Sequence, residues 1–287
     1  MRRISEAFAR CRDQGRAALV AYLAAGDPDL ETTANLARAV AEGGADVLEL
    51  GIPFSDPLAD GSIIQAAYTR ALEGGVTVKR IIEAMPRIAG ESGLPLVLMT
   101  ALNPVLAYGP TAFCRDAAAA GAAGLLVPDL LPEDSGPLRE AAAAAGLDTV
   151  YLGAPDTSDE RLAAAAVLST GFFYLISRRG VTGPQAGVGD ALDALVARAR
   201  RYCRVPIAVG FGVTDSEDAR RVAEVADGVI VGSAFIEAAA EALATARGAG
   251  ESTASAMSSG ADAVRERTEQ LMDGIRQART AVREAKR

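Results

Sequence analysis

The sequence predicts a single (β/α)8 barrel that spans residues 1–287. Short, continuous apolar runs recur along the chain, as expected for strands that are buried on both faces of a parallel sheet. Longer segments with helical spacing of their apolar residues separate these runs. The chain length suits one such barrel, which typically takes about 250 residues. A doubly wound open sheet is the alternative architecture with the same alternation.

Eight apolar runs are predicted to form the strands, and this number matches a closed barrel. In such a barrel the reactive groups lie at the carboxyl ends of the strands. The runs are Ala18–Leu23, Asp46–Leu50, Pro95–Met99, Gly124–Val127, Thr149–Leu152, Phe172–Ile176, Pro206–Val209 and Gly228–Val231.

The helices between the strands are marked by apolar or alanine residues at helical spacing, with charges on the opposite face. They include Thr32–Ala41, Ala112–Ala120, Leu138–Ala145, Arg161–Leu168, Leu192–Arg201 and Glu217–Val225.

Two segments lie outside this simple alternation. Ile4–Gln14 is predicted to be an amphipathic helix that plugs the bottom of the barrel. Gly248–Gly260 is rich in Gly, Ser and Ala, which predicts a flexible connection. It leads to a last helix, Ala261–Ala285, whose apolar stripe assigns it as the eighth barrel helix.

The composition argues against several classes of function. Acidic residues outnumber basic ones, 37 to 29, and the absence of a basic stripe argues against a nucleic-acid partner. The apolar runs are shorter than the roughly 18 residues that a membrane-spanning helix needs. The N-terminus has no apolar run or small-residue cleavage site, so no signal peptide is expected. The widely spaced Cys11, Cys114 and Cys203 predict a reducing, cytoplasmic setting.

The chain contains no histidine. This excludes Ser-His-Asp and Cys-His catalysis and most zinc sites. Acid–base chemistry must therefore come from carboxylates, tyrosine or lysine. Lysine is scarce at the predicted strand ends, which argues against Schiff-base chemistry.

The second predicted strand carries one carboxyl group into the barrel. Because side chains alternate along a strand, Leu48 and Leu50 share the face toward the helices, and Glu49 points inward near the carboxyl end. A carboxyl group among apolar walls has a raised pKa and can exchange a proton near neutral pH. Glu49 is therefore a candidate general acid or base. The alternative is a structural carboxylate that is paired with a lysine or arginine.

The loop after this strand carries two further carboxylates, Asp56 and Asp60. Taken alone, each is an ordinary turn former that bonds to its own backbone. Asp56 in particular lies between a serine and a proline, which is a common turn sequence.

The last three strands run into loops that are rich in glycine. Gly180 and Gly183 follow the sixth strand, Gly210 and Gly212 end the seventh, and Gly232 ends the eighth. Glycine lets backbone amides approach a ligand closely, and a helix N-terminus attracts anions. The three loops together predict a phosphate site, in the region after strands seven and eight where barrels often have one.

The segment Leu48–Gly61, LELGIPFSDPLADG, resembles the signature of the tryptophan synthase alpha subunit family, and it is long and specific. Further matches follow in the family's order, and together they cover about residues 15–240. They are Ala25–Pro28, Val127–Leu130, Ser177–Arg178, Gly180–Gly183, Gly210–Val213 and Gly232–Ala234.

The resemblance implies a lyase that splits indole-3-glycerol phosphate into indole and glyceraldehyde 3-phosphate in tryptophan biosynthesis. It implies that Glu49 is the general acid and base and that Asp60 accepts the indole N–H. It also implies no metal or cofactor in this chain and a beta-subunit partner that carries pyridoxal phosphate, in an α2β2 assembly. The substrate-binding residues that it implies are Tyr22, Tyr174, Thr182, Gly183, Phe211, Gly212, Gly232 and Ser233.

Some positions depart from the family pattern. Ala101 stands where members usually have a tyrosine against the substrate, which predicts a wider indole pocket or altered coupling to a partner. Ser62 replaces a frequent proline, and Ala24 a frequent threonine or proline. The catalytic pair is intact.

Three other functions remain open from the sequence. A stand-alone lyase that releases free indole would have nearly the same site. Against it, Asp56–Pro57, Asn103–Gly109 and Pro128–Pro132 resemble the family's partner-facing surfaces. A regulatory subunit would instead activate a beta chain while cleaving little substrate itself. A generic phosphate-binding barrel isomerase or aldolase is the third.

Overall fold

The computed structural model describes residues 3–57, 60–176, 188–210 and 212–284. Within these ranges, eight parallel strands close into a barrel in chain order, with β1 paired to both β2 and β8. Closure confirms the predicted barrel and excludes the open sheet. The strands are β1 (Ala18–Ala24), β2 (Val47–Gly51), β3 (Leu96–Met99), β4 (Ala122–Leu126), β5 (Asp148–Gly153), β6 (Phe173–Ile176), β7 (Ile207–Gly210) and β8 (Gly228–Val231).

Helices surround the barrel, and a short 3₁₀ turn at Pro132–Asp134 precedes one of them. The helices are α1 (Arg3–Gln14), α2 (Leu30–Glu42), α3 (Ser62–Glu73), α4 (Val78–Ser92), α5 (Leu102–Tyr108), α6 (Pro110–Ala119), α7 (Gly136–Ala144), α8 (Asp159–Leu168), α9 (Val188–Arg200), α10 (Ser216–Ala223), α11 (Ser233–Gly248) and α12 (Thr253–Glu284).

Alternation along the strands divides the core into two layers. In β2, Leu48 and Leu50 pack in the outer layer between strands and helices, as predicted. Val47 packs in the inner layer with Val20 and Val97 from the neighbouring strands. Glu49 has the same parity as Val47, so it projects into the barrel.

Helix α1 closes the bottom of the barrel, as the sequence predicts. Ile4 and Phe8 are buried in the inner layer, and the Phe8 ring lies 5.6 Å from the Phe172 ring. The guanidinium of Arg16, just after α1, donates to both carboxylate oxygens of Asp46 at 2.6 and 2.8 Å. These contacts fix the N-terminal end of the barrel, so a ligand site is left for the opposite end.

The predicted connection over Gly248–Gly260 is wrong for most of its length. Helix α11 runs to Gly248, and α12 already begins at Thr253. Ala256 is buried against α11, where it packs with Leu243 and Ala246. Small residues that are typical of a loop here allow two helices to pack closely, and burial outweighs their weak local preference for a turn.

Helix α12 packs between α10 and α2, which confirms its assignment as the eighth helix of the ring. Across the described part of the chain, no helix combines the length and the apolar character that crossing a membrane requires.

Candidate active site

Glu49 lies on the inner face of β2, near the carboxyl end of the strand. Its register neighbours are Tyr22 on β1 and Val97 on β3. It is 1% exposed, and neither carboxylate oxygen has a hydrogen-bond partner among the residues that the structure describes. Burial, followed by the negative charge of Asp60, raises the pKa of the Glu49 carboxyl to about 8. Glu49 is therefore mostly protonated at neutral pH and can donate a proton.

Asp60 lies in the loop that leads from β2 to α3. The side-chain amide of Gln65 donates to the carbonyl oxygens of Asp60 at 2.8 Å and of Pro57 at 3.3 Å, which ties the loop to α3. Burial raises the pKa of the Asp60 carboxyl to about 6. Asp60 is thus mostly ionised at the pH where Glu49 is mostly protonated. Two carboxyl groups whose pKa values are separated in this way can take different roles in one reaction.

Tyr22 is buried on β1 beside Glu49, and its hydroxyl donates to the hydroxyl of Tyr68 on α3 at 2.7 Å. Gly51 makes room for this pair. A Cβ at position 51 would collide with the Tyr22 hydroxyl and stand 2.7 Å from that of Tyr68. Gly51 follows Glu49 on the inner face of β2, so both hydroxyls lie just above the Glu49 carboxyl, toward the mouth of the barrel.

Tyr174 lies on β6, in register with Leu152 and Ala208 on the adjacent strands, and packs against the inner layer. Desolvation raises the pKa of its hydroxyl well above the usual value, and the charges of Glu49 and Asp60 add to this effect. The phenol therefore stays neutral and can serve as a hydrogen-bond donor beside the two carboxyl groups.

A cavity of about 350 Å³ opens at the C-terminal end of the barrel, and Asp60 and Tyr68 form part of its wall. This volume is within the range of small-molecule sites. Ala101 is also in the wall, where a tyrosine would fill part of the space. The remaining lining residues are Ile52, Phe54, Asp56, Pro57, Met99, Thr100, Asn103, Pro128 and Asp129.

The three segments that resemble partner-facing surfaces meet at this cavity. Asp56 and Pro57 contribute from one loop, Asn103 from α5, and Pro128 and Asp129 from the loop after β4. The carboxylate of Asp129 accepts from the Leu102 N–H at 2.9 and 3.1 Å, so it also caps α5. A partner that docks on these segments would cover the mouth of the cavity.

The predicted phosphate site is described in part. Gly212 has a φ of +87°, a conformation that an L side chain rarely adopts. Gly232 is the N-cap of α11, and Ser233 is the first residue of that helix. The first N–H groups of a helix lack partners within it and can bind an anion. The predicted substrate residues Thr182, Gly183 and Phe211 lie outside the described residues.

Sequence reasoning missed three side chains that build the site. Tyr68 and Gln65 lie on α3, and Arg70 on the same helix donates to both carboxylate oxygens of Asp27 at 2.7 Å. This ion pair joins α3 to the loop after β1 that contains the matched motif at Ala25–Pro28. Their helix was not among the predicted segments, and its sequence offers one usable signal, a tyrosine among alanines on the buried face.

Comparisons with known proteins identify the family to which the chain belongs. The family model described as tryptophan synthase alpha chain matches residues 8–265. A tryptophan synthase alpha chain of Opitutus terrae is 47% identical, over 85% of this chain and 91% of its own. The corresponding protein of Nocardia farcinica is 42% identical, over 97% and 98%.

Solved structures give the same result. Tryptophan synthase of Mycobacterium tuberculosis superposes with a TM-score of 0.83 at 39% identity, over 96% of this chain and 98% of that one. The tryptophan synthase subunit alpha of Legionella pneumophila superposes with a TM-score of 0.84 at 32% identity, over 96% and 99%.

Proposed function

The chain belongs to the tryptophan synthase alpha chain family, and we propose that Glu49 and Asp60 carry out the carbon–carbon cleavage of this lyase. The reaction splits indole-3-glycerol phosphate into indole and glyceraldehyde 3-phosphate in tryptophan biosynthesis. The observation that carries the assignment is the state of the two carboxyl groups. Glu49 is buried without a hydrogen-bond partner among the described residues, with a pKa of about 8, beside Asp60 with a pKa of about 6.

The first step is protonation of the indole ring. Protonated Glu49 donates its proton to C3 of the ring, which gives an indolenine with positive charge at N1. Ionised Asp60 accepts the N1–H hydrogen bond and stabilises that charge. The protonated ring then acts as the electron sink for bond cleavage.

The second step returns the proton to Glu49. The Glu49 carboxylate removes the proton of the adjacent glycerol hydroxyl, and the hydroxyl oxygen forms the new carbonyl. The electron pair of the broken carbon–carbon bond passes to C3 and neutralises the indolenine. Indole and glyceraldehyde 3-phosphate leave, and Glu49 is again protonated for the next turnover.

The phosphate end of the substrate is assigned to the loops after β6, β7 and β8. Gly212, Gly232 and Ser233 would contribute backbone N–H groups, and the α11 N-terminus favours the phosphate charge. Thr182, Gly183 and Phe211 complete this set by resemblance. By resemblance, Tyr22 and Tyr174 are assigned to the substrate walls near Glu49, where neutral phenols suit an aromatic ring.

The family name of an alpha chain implies a beta-subunit partner. We assign the partner surface to the loops that contain Asp56, Asn103 and Pro128, since these meet at the mouth of the cavity. An α2β2 assembly, with pyridoxal phosphate held by the beta subunit, completes the proposal. The free thiols of Cys11, Cys114 and Cys203 suit a reducing cytoplasm.

Indole release from indole-3-glycerol phosphate tests the assignment. The wild-type chain should release indole, and a beta subunit should raise the rate because closure over the cavity excludes water and fixes both carboxyl groups. Asp60→Asn should lower kcat/KM at least about tenfold, since a charge-assisted hydrogen bond becomes neutral. Fast release by the chain alone, without complex formation on size exclusion, would favour a stand-alone lyase. Unchanged kcat/KM in Asp60→Asn would remove the role given to that residue.

A further inference from the structure

Two buried tyrosine hydroxyls lie near the catalytic carboxyl groups, and no proton-transfer step of the mechanism above uses them. Tyr22 and Tyr68 are each 3% exposed. Tyr22 comes from β1 and Tyr68 from α3, and their hydroxyl oxygens are 2.7 Å apart. They lie directly over Gly51, where any side chain would displace them. Burying two hydroxyl groups here costs desolvation free energy, and the pair restricts the residues that fit at positions 22, 51 and 68.

The direction of the hydrogen bond leaves one proton for another acceptor. A tyrosine hydroxyl carries a single hydrogen, and that of Tyr22 is donated to the Tyr68 oxygen. The hydrogen of Tyr68 therefore points away from Tyr22. Tyr68 lines the cavity together with Asp60, whose negative charge attracts a hydroxyl hydrogen.

We propose that Tyr68 is a positioning residue for Asp60. Tyr22 orients the Tyr68 hydroxyl, and that hydroxyl directs its hydrogen toward the Asp60 carboxylate. A donor on this side keeps Asp60 ionised and leaves its other oxygen for the indole N–H. The inference rests on the role proposed above for Asp60.

The proposed hydrogen bond opposes the effect of burial on Asp60. Burial favours the neutral carboxyl, whereas a donor favours the carboxylate. Other groups in the site act on the same carboxyl. Within the ranges that the structure describes, the titratable groups that share the site with Asp60 and Tyr68 are Glu49, Tyr22, Tyr174, Asp56 and Asp129.

The two aspartates among these neighbours accept hydrogen bonds from other groups. The Asp129 carboxylate accepts from the Leu102 N–H, and the Asp56 carboxylate accepts from the Ser55 hydroxyl at 2.7 Å. Glu49, with a pKa of about 8, is still protonated while Asp60 titrates near 6, so it adds no negative charge that would oppose ionisation of Asp60. Tyr174 is also a neutral phenol, but Tyr68 shares the cavity wall with Asp60 and Tyr174 does not, so Tyr68 is the donor best placed to counter burial.

The pH profile of kcat/KM distinguishes this role from simple packing. Activity should fall below the Asp60 pKa of about 6 and above the Glu49 pKa of about 8. Tyr68→Phe keeps the ring but removes the donor, so the acid limb should move up by about 0.5–1 pH unit while the alkaline limb stays in place. At about pH 5.5 kcat/KM should fall about three- to tenfold relative to wild type, and at about pH 7.5 less than about twofold.

Tyr22→Phe and the Tyr22→Phe/Tyr68→Phe double variant test whether Tyr22 affects Asp60 only through the Tyr68 hydroxyl. Tyr22→Phe should shift the acid limb in the same direction by a smaller amount, because the Tyr68 hydroxyl remains but is free to rotate. The double variant should match Tyr68→Phe alone, because Tyr22 acts through Tyr68. If the shifts of the two single variants add in the double variant, Tyr22 does not act through Tyr68.

Tyr151→Phe is the matched control. The Tyr151 hydroxyl donates to the Ser135 hydroxyl at 2.7 Å, in a buried pair in the outer layer of the barrel. Its removal should lower the melting temperature about as much as Tyr68→Phe but leave both limbs unchanged. If Asp60→Asn inactivates the enzyme but Tyr68→Phe has the same pH profile as wild type, the inference is overturned and the role of Asp60 stands. Full activity in Asp60→Asn would instead remove the proposed function.

Discussion

Asp46 and Glu49 are buried carboxyl groups at the two ends of the same strand region, and their surroundings are opposite. Asp46 precedes β2 at the plugged end, where Arg16 donates to both of its oxygens and the Leu19 N–H adds a third bond at 3.0 Å. Glu49 is at the open end, and neither of its oxygens has a partner within the described part of the chain. A carboxylate with hydrogen-bond partners thus lies just before β2, and a carboxyl group without partners lies on it.

The two carboxyl groups therefore suit different purposes, Asp46 the stability of the fold and Glu49 proton transfer. The paired carboxylate of Asp46 joins the segment after α1 to β1 and to the start of β2, and both of its oxygens are occupied by donors. A carboxyl group without partners lowers stability when it is ionised, but it can exchange a proton with a substrate near neutral pH. In this barrel the first kind of group lies at the N-terminal end and the second at the C-terminal end, as expected for the fold.

Glu49→Gln should give the largest effect of any single change. The side chain keeps its shape and loses its proton, so turnover of indole-3-glycerol phosphate should fall at least about a hundredfold. Substrate binding, measured separately, should change little. Turnover within a few-fold of wild type would show that another group transfers the proton, and the contrast with Asp46 would lose its meaning.

Asp46→Ala should give the opposite result. Removal of one partner leaves the Arg16 guanidinium largely buried without its carboxylate, at a cost of about 3 kcal/mol in the free energy of unfolding. Urea unfolding measures this loss. Well below the unfolding transition, kcat/KM per folded molecule should stay within about twofold of wild type. A large loss of activity in a folded Asp46→Ala protein would mean that the two ends of β2 are coupled.

The stability of the wild type relative to Glu49→Gln should depend on pH. Below the ordinary pKa of 4.5 Glu49 is protonated in both folded and unfolded chains, so it imposes no penalty. As pH rises, the unfolded chain ionises first while the folded pKa stays near 8, and this stabilises the unfolded state. The resulting loss in the free energy of unfolding, relative to Glu49→Gln, should reach a few kcal/mol, as the pKa difference implies. It should then level off above about pH 8. A difference that is constant between about pH 5 and 8 would contradict the raised pKa.

Gly212→Val should produce a smaller, local effect at the open end. The substitution strains a residue with a φ of +87° and should weaken glycerol phosphate binding about tenfold, because backbone N–H groups shift. Gly146→Val is the matched control, since Gly146 has a φ of +77° in the turn before β5, at the plugged end. Both variants should lose stability, and only the first should lose affinity. Unchanged affinity in Gly212→Val would move the phosphate site elsewhere.

The strands and the inward direction of Glu49 could be predicted because they depend on local patterns. Continuous apolar runs predict buried parallel strands, and alternation around Leu48 and Leu50 determines the face of Glu49. The start of α12 could not be predicted in this way. Its Gly, Ser and Ala residues are typical of a loop, and only packing of Ala256 against α11 makes them helical.

The site residues also divide into those that a local pattern predicts and those that only the folded structure brings together. Glu49 and Asp60 lie in one continuous motif, whereas Tyr68 meets Tyr22 through a contact between α3 and β1. The two tyrosines are 46 residues apart in the chain, and no local pattern relates them. Contacts of this kind follow from closure of the barrel rather than from any one segment.

The titration of the Glu49 carboxyl tests the central claim most directly. Carbon-13 NMR of the glutamate side-chain carboxyl groups, with Glu49 assigned by its absence in Glu49→Gln, measures the pKa in the folded protein. The resonance should titrate with a midpoint near 8, because burial and the charge of Asp60 both disfavour ionisation. A midpoint near the ordinary value of 4.5 would mean that Glu49 is a solvated or paired carboxylate, and it would contradict the account of this site as a proton-transfer centre.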